Sequence, residues 1–199
     1  MLATMKANNL FDVESRKGKA PGGYNYPLAE TGAPFIFMNS ANSLRDLTTM
    51  VHEGGHAVHT FLTAGLELND FKHCPSEVAE LASMSMELMS MDHWHIYFDN
   101  EEDLKRAKKE QLIDVLKTLP WVAVIDKFQH WIYTNVGHSA ADREEAFKQI
   151  YTTFGAGFSD WEGQEAEFGN IWQKQLHLFE VPFYYIEYAI AQLGAVAIW

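Results

Sequence analysis

The sequence predicts a mainly α-helical domain with one small β-hairpin, and three observations lead there. Apolar residues recur at helical spacing over most of the chain beyond Ser43. Residues 24–38 instead hold β-branched and aromatic runs separated by a turn. With 47% hydrophobic and 14% aromatic residues in 199, the chain can fill one core, so a single domain over 1–199 is expected.

Residues 1–20 read as the end of a helix followed by a basic, glycine-bearing turn, SRKGKAPGGY. Tyr24 to Leu28 and Ala33 to Met38 (APFIFM) flank the turn-like AETG and form the hairpin. Leu44, Leu47, Val51, Val58, Phe61 and Leu62 then repeat at helical spacing. Ser43 is placed to cap that helix, with Asp46 three residues on, and Gly65 to end it. A second helix is expected from about Ser76 to Phe98. A third runs from Asn100 through the mixed-charge EEDLKRAKKE to about Leu119, where Pro120 should break or kink it. Helical patterns return over 121–135, 142–154 and 168–199, the last containing Pro182.

Charge and cysteine usage narrow the function classes. Lys and Arg number 15 against 27 Asp and Glu, for a net charge of -12, and no basic run can neutralise a phosphate backbone, so nucleic acid is not an expected partner. One cysteine, Cys74, excludes an internal disulfide framework. Met1 to Leu10 lacks the apolar core of a secretory signal, which makes a cytoplasmic location the expectation. The longest apolar tract, Ala189 to Trp199, is too short for a membrane span and is interrupted by Gln192. Because AIAQLGAVAIW stops inside a helical pattern without a cap, a fragment of a longer chain is expected, with self-association through exposed truncated surfaces.

The stretch Met50 to Thr60 reads MVHEGGHAVHT. On a helix, His52 and His56 lie on one face, one turn apart, and can present imidazole nitrogens to a single ion. Glu53 lies about 100° round the helix, where its carboxylate reaches a water on that ion without being a ligand. A chance HExxH in a chain with nine histidines is the bland alternative. Each glycine inside a helix costs roughly 1 kcal/mol relative to Ala, so Gly54 and Gly55 imply a need for space. Gly55, beside the histidine stripe, would let a neighbouring helix or strand come close, which is equally what a plain packing notch does.

His59 lies about 10 Å along the axis from His52, too far for both to bind one ion. The HExxHxxGxxH pattern is absent too, since His59 and Leu62 stand where it needs Gly and His. A gluzincin arrangement takes a Glu from a following helix, and PSEVAELASMSMEL offers Glu77, Glu80 and Glu87. Glu80 and Glu87 are seven apart on nearly one face, among the largely apolar Val78, Leu81, Ala82, Ser85, Leu88 and Met89. Two carboxylates in that setting need a positive or hydrogen-bonding partner if buried. Glu80 is placed to bind the metal and Glu87 to accept the second N–H of a histidine ligand; two solvated carboxylates on an exposed edge are the alternative. Cys74 reads as a small buried hydrophobe, and His73, His93 and His95 as surface or helix-end residues. In FYYIEY, Tyr185 and Tyr188 sit on adjacent turns and either donate to an oxyanion or form a packing stripe.

HEGGHAVH followed by SEVAELASMSMEL resembles the thimet oligopeptidase and oligoendopeptidase F family, peptidase family M3, and its bacterial oligoendopeptidase F branch above all. FDVESRKGKAPGGY, APFIFMN and HLFEVPFYYIEYAIAQLGA extend the resemblance in order over nearly the whole chain. It matches the catalytic, C-terminal portion of proteins usually much longer. The resemblance implies a zincin-like catalytic domain with a small sheet beside the HExxH helix and one Zn2+ per chain, held by His52, His56 and Glu80. It makes Glu53 the general base and acid, places Glu87 behind a histidine ligand, and sets His177, Tyr185 and Tyr188 over the metal. The implied reaction is hydrolysis of internal bonds in short unstructured peptides. APFIFM, with Phe35 and Phe37, would be an edge strand pairing with the substrate backbone, and Gly22 and Gly23 would let the preceding loop approach it. Two competing readings are a zinc-binding but catalytically incompetent remnant that acts as a structural or interaction module, and a metal-free helical domain.

Overall fold

A computed structural model describes residues 1–155 and 159–199. The chain divides into two compact units, residues 1–109 with 193–199, and residues 110–192. Among the described residues no helix is long and apolar enough to cross a membrane.

The first unit opens with helix α1 (Leu2–Ala7) and strands β1 (Phe11–Glu14), β2 (Tyr24–Leu28) and β3 (Ala33–Ser40). β2 and β3 form the expected hairpin, with Tyr24 opposite Phe37 and Leu28 opposite Ala33. The strand order is β1-β3-β2, with β1 parallel to β3. APFIFM is therefore the central strand, and its expected role as an edge strand for substrate does not hold; β1 and β2 are the edges. Strand β1 escaped the sequence reading because it is only four residues long and its pairing comes from a partner more than 20 positions away.

Helix α2 (Leu44–Thr63) packs on this sheet through Met5, Leu10, Ala33, Ile36 and Ala57, joined by Met50 and Phe61. Its start is capped as expected: the Asp46 carboxylate accepts from the Ser43 and Ala41 N–H groups and from the Ser40 hydroxyl. Helix α3 (Ser76–Ser90) follows and gives way to a 3-10 segment, Met91–Ile96, rather than continuing to Phe98. There the Ser90 hydroxyl bonds the Glu87 carbonyl and accepts the indole N–H of buried Trp94, which draws the chain out of α geometry.

The second unit gathers Val124, Ile125, Phe128, Phe147 and Trp172 into an aromatic core. Helix α4 (Glu101–Thr134) is continuous through Pro120, so of the expected break or kink the break does not occur. One hydrogen bond is lost there, but Val122, Val124, Ile125 and Phe128 are buried in succession just beyond, and packing outweighs the local penalty. Helix α5 (Ala140–Phe154) agrees with its predicted span, whereas the expected helix over 168–199 is broken into α6 (Glu165–Asn170), a 3-10 turn, α7 (His177–Glu180) and α8 (Ile186–Ile198). Val181, preceding Pro182, is held out of helical geometry at φ -136°, and Phe183 sits at φ 61°.

The two glycines of the HExxH helix separate cleanly. A Cβ on Gly55 would lie 3.0 Å from the Ser83 Cα and 3.2 Å from its Oγ, so α3 approaches α2 at this point as only Gly allows. A Cβ on Gly54 would meet nothing within 4 Å. Gly55→Ala is expected to destabilise by about 1–3 kcal/mol through overpacking against backbone. Gly54→Ala is expected to stabilise by roughly 0.5–1 kcal/mol. Urea unfolding of both variants checks the opposite signs.

Candidate metal centre

Helix α2 presents His52 and His56 one turn apart, their rings 5.0 Å between centroids and nearly perpendicular. Helix α3 brings Glu80 against them. One ligand atom from each of His52, His56 and Glu80 lies within 4.8 Å of the others, and this is the one group of three or more such side chains with that spacing among the described residues. His52 Nε2 is 3.3 Å from Glu80 Oε2. His59 stays outside the group, beside the Cys74 thiol at 3.8 Å. Cys74 is half-buried rather than the enclosed small hydrophobe expected, while His73, His93 and His95 are exposed, as read.

The far nitrogen of each histidine is held. His52 Nδ1–H donates to Glu87 Oε1 at 2.7 Å, the place expected for Glu87. His56 Nδ1 pairs with the Ser83 hydroxyl at 2.9 Å. Both contacts fix the ring orientation and direct the remaining nitrogen inward. Ser83, fully buried, was missed by the sequence reading; the available signal was its position on the same face as Glu80 and Glu87, one turn from each.

Glu53 is 6% exposed and Glu80 7%, so two carboxylates lie buried beside one another. Burial above all pushes the Glu53 carboxyl up to about 7; repulsion from Glu80 and Glu87 adds to this, while attraction to His52 opposes it. His52 is pulled down by burial, but its hydrogen bonds to Glu80 and Glu87 outweigh this and carry it up to about 10. Burial and repulsion from His52 bring His56 down to about 4, leaving it neutral as a ligand must be. Glu53 Oε2 is buried without a hydrogen-bond partner among the described residues. Two imidazoles and a carboxylate, closely spaced and enclosed by negative charge, fit a divalent cation of the zinc type, with three protein ligands and an open position.

The loop before β2 closes over this site. The Lys19 side chain, 1% exposed, gives its ammonium to the Asp12 carboxylate and to the carbonyls of Asp12, Glu14 and Met38. Asn39 holds the carbonyls of Ala20 and Gly22. Gly22 is left-handed at φ 98°, and a Cβ on Gly23 would come within 3.5 Å of Glu53 Oε1. Of the two phenylalanines assigned to substrate, Phe35 packs against the core and Phe37 is covered by the Tyr24 ring at 4.8 Å and by Lys19.

In the second unit, His177, Tyr184, Tyr185 and Tyr188 form a ring cluster. Trp121 Nε1–H, which can only donate, bonds Gln175 Oε1, so the Gln175 amide nitrogen donates to His177 Nδ1 at 2.7 Å. In neutral His177 the hydrogen is then on Nε2, which donates to the Tyr188 oxygen at 3.2 Å. Burial raises the Tyr185 phenol above its ordinary range, with the Trp121 indole opposing.

An HExxH helix, a glutamate from the following helix and a small sheet beside them define a metallopeptidase. The chain belongs to peptidase family M3, whose family model matches residues 3–199. It is 27% identical over 192 residues to oligopeptidase PepF of Bacillus subtilis, covering 96% of this chain and 28% of that one. To an oligoendopeptidase F homolog of Borreliella burgdorferi it is 24% identical over 197 residues, covering 94% of this chain and 32% of the relative. The structure of PZ peptidase A with an inhibitor superposes with a TM-score of 0.92 at 33% identity, over 99% of this chain and 35% of that one. A putative oligoendopeptidase F from Bacillus anthracis gives 0.82 at 29%, over 99% and 32% respectively. The chain thus spans about a third of the length of these relatives.

Removing the far-side partner should loosen the metal without removing a ligand. Ser83→Ala is expected to weaken zinc binding by about 10–100-fold, read by competition with a chelating dye.

Proposed function

We propose that this chain hydrolyses internal bonds of short, unstructured oligopeptides, with zinc as its resident ion. The observation that carries this reading is Glu53, a buried carboxylate beside His52, His56 and Glu80 with one oxygen lacking a hydrogen-bond partner among the described residues. His52, His56 and Glu80 hold the ion. When bound, zinc supplies Lewis acidity, making water acidic near neutral pH and drawing off charge that builds on the substrate oxygen.

Glu53 takes the proton of the attacking water as its oxygen bonds the scissile carbonyl carbon. Glu53 then returns the proton to the departing amine as the C–N bond breaks. Its raised pKa suits a group that must both take and give at neutral pH. The free edge of β2 is the backbone surface on which an extended peptide pairs, and Gly23 keeps the space over Glu53 clear of a side chain. Tyr188, oriented by His177, and Tyr185 donate to the substrate oxygen as it becomes negative. A lone thiol and no disulfide agree with work in the reducing cytoplasm.

Glu53→Gln should keep zinc near one per chain while kcat on a quenched peptide falls about 10²–10⁴-fold. Equal rates for the two proteins would overturn the reading. Tyr188→Phe should lower kcat by about 10²–10³-fold with little change in KM, as expected for a donor used only in the transition state.

A further inference from the structure

In the first unit a cleft of about 630 Å³ opens between the edge of β2 and the C-terminal half of α2, reaching His56 at one end and the 3-10 turn Asn69–Lys72 at the other. The chain carries 27 acidic residues against 15 basic ones, yet no Asp or Glu lines this cleft among the described residues. Its ionisable side chains are Lys72, His56, His59, His73 and Cys74. In a protein of net charge -12, no carboxylate is among the described residues that line this cleft, and Lys72 is its one permanently charged side chain.

Lys72 is half-buried, and among the described residues its ammonium has neither an ion pair nor a hydrogen bond. Lys19 shows what this fold does with a buried ammonium of its own: Asp12 and three carbonyls surround it. An ammonium at the cleft wall with no counter-charge of its own is available to an arriving anion.

We propose that this cleft is a carboxylate-reading subsite for the peptide, with Lys72 as the residue that selects it. The inference rests on the peptidase reading above. The occupant lies along β2, leaves His56 at one end, and places a carboxylate at Lys72, with His73 and His59 adding donors. That carboxylate is either the C-terminal α-carboxylate of a short peptide or a Glu or Asp side chain.

The test uses the zinc-loaded chain carrying Glu53→Gln, which holds peptides without cutting them. Three fluorescent peptides are compared by anisotropy: one with a Glu and a free C-terminus, the same with an amidated C-terminus, and the same with Gln for Glu. One of the two neutralising changes is expected to weaken binding about threefold, the worth of a modest ion pair, and which one does so names the source. Adding Lys72→Met should bring the ratio to one, and Lys72→Arg should retain most of it. The preference should fade as salt is raised. Equal binding of all three peptides, a preference that survives Lys72→Met, or no binding of any peptide would overturn the proposal. The peptidase reading fails separately, if the chain with Glu53 intact cuts no peptide while the carboxylate preference persists.

Discussion

The site depends on one close approach, that of α3 to α2 at Gly55. Ser83 can reach His56, and Glu80 and Glu87 can reach His52, only because no side chain stands between the helices where the Ser83 Cα would meet it at 3.0 Å. The cost of a glycine in a helix interior is accepted at the position where a methyl group would part the helices. Capping at the start of α2 and the core beneath it, around Ala57 and Ile36, hold the histidine helix while α3 comes down upon it.

Closing the helices creates an electrostatic problem that the ligand set then answers. Glu53 and Glu80 are almost fully buried and Glu87 is close by, so three carboxylates share a space with few positive groups. Hydrogen bonds to Glu80 and Glu87 raise His52 for this reason, whereas burial and repulsion from His52 lower His56. A divalent cation held by Glu80 and both imidazoles would bring more positive charge and offset the carboxylate repulsion that adds to the burial raising Glu53. Metal affinity and helix packing are therefore coupled through the same side chains.

Much of this was legible because it is local. The helical stripe of His52 and His56, the offset of Glu53, the seven-residue spacing of Glu80 and Glu87 and the cap at Ser43 and Asp46 all follow from 3.6 residues per turn. What was hidden is non-local. Strand β1 exists through its pairing with β3, and that pairing moved APFIFM from the edge to the centre of the sheet. Pro120 looked like a stop because the buried residues after it, Val122 to Phe128, act through tertiary contacts that local propensity does not see. Ser83 was overlooked as one small polar residue among several, and only its facing His56 reveals what it does.

The change of strand order matters for the proposed function, because it explains how the space beside Glu53 is kept clear. With β3 enclosed, the loop from β1 to β2 has to cross the sheet's end, and Lys19 pins it there by reaching β1 and the Met38 carbonyl of β3 at once. Asn39, also on β3, fixes the carbonyls of Ala20 and Gly22. The central strand thus sets the height at which Gly23 passes Glu53, and the left-handed Gly22 turns the chain so that β2 departs along the cleft. An edge strand in the place of β3 would have no strand on its far side, and Lys19 would lose the β1 carbonyls and the Asp12 carboxylate that make its burial tolerable. The central strand is in this way the one that positions the loop beside Glu53 and the edge of β2.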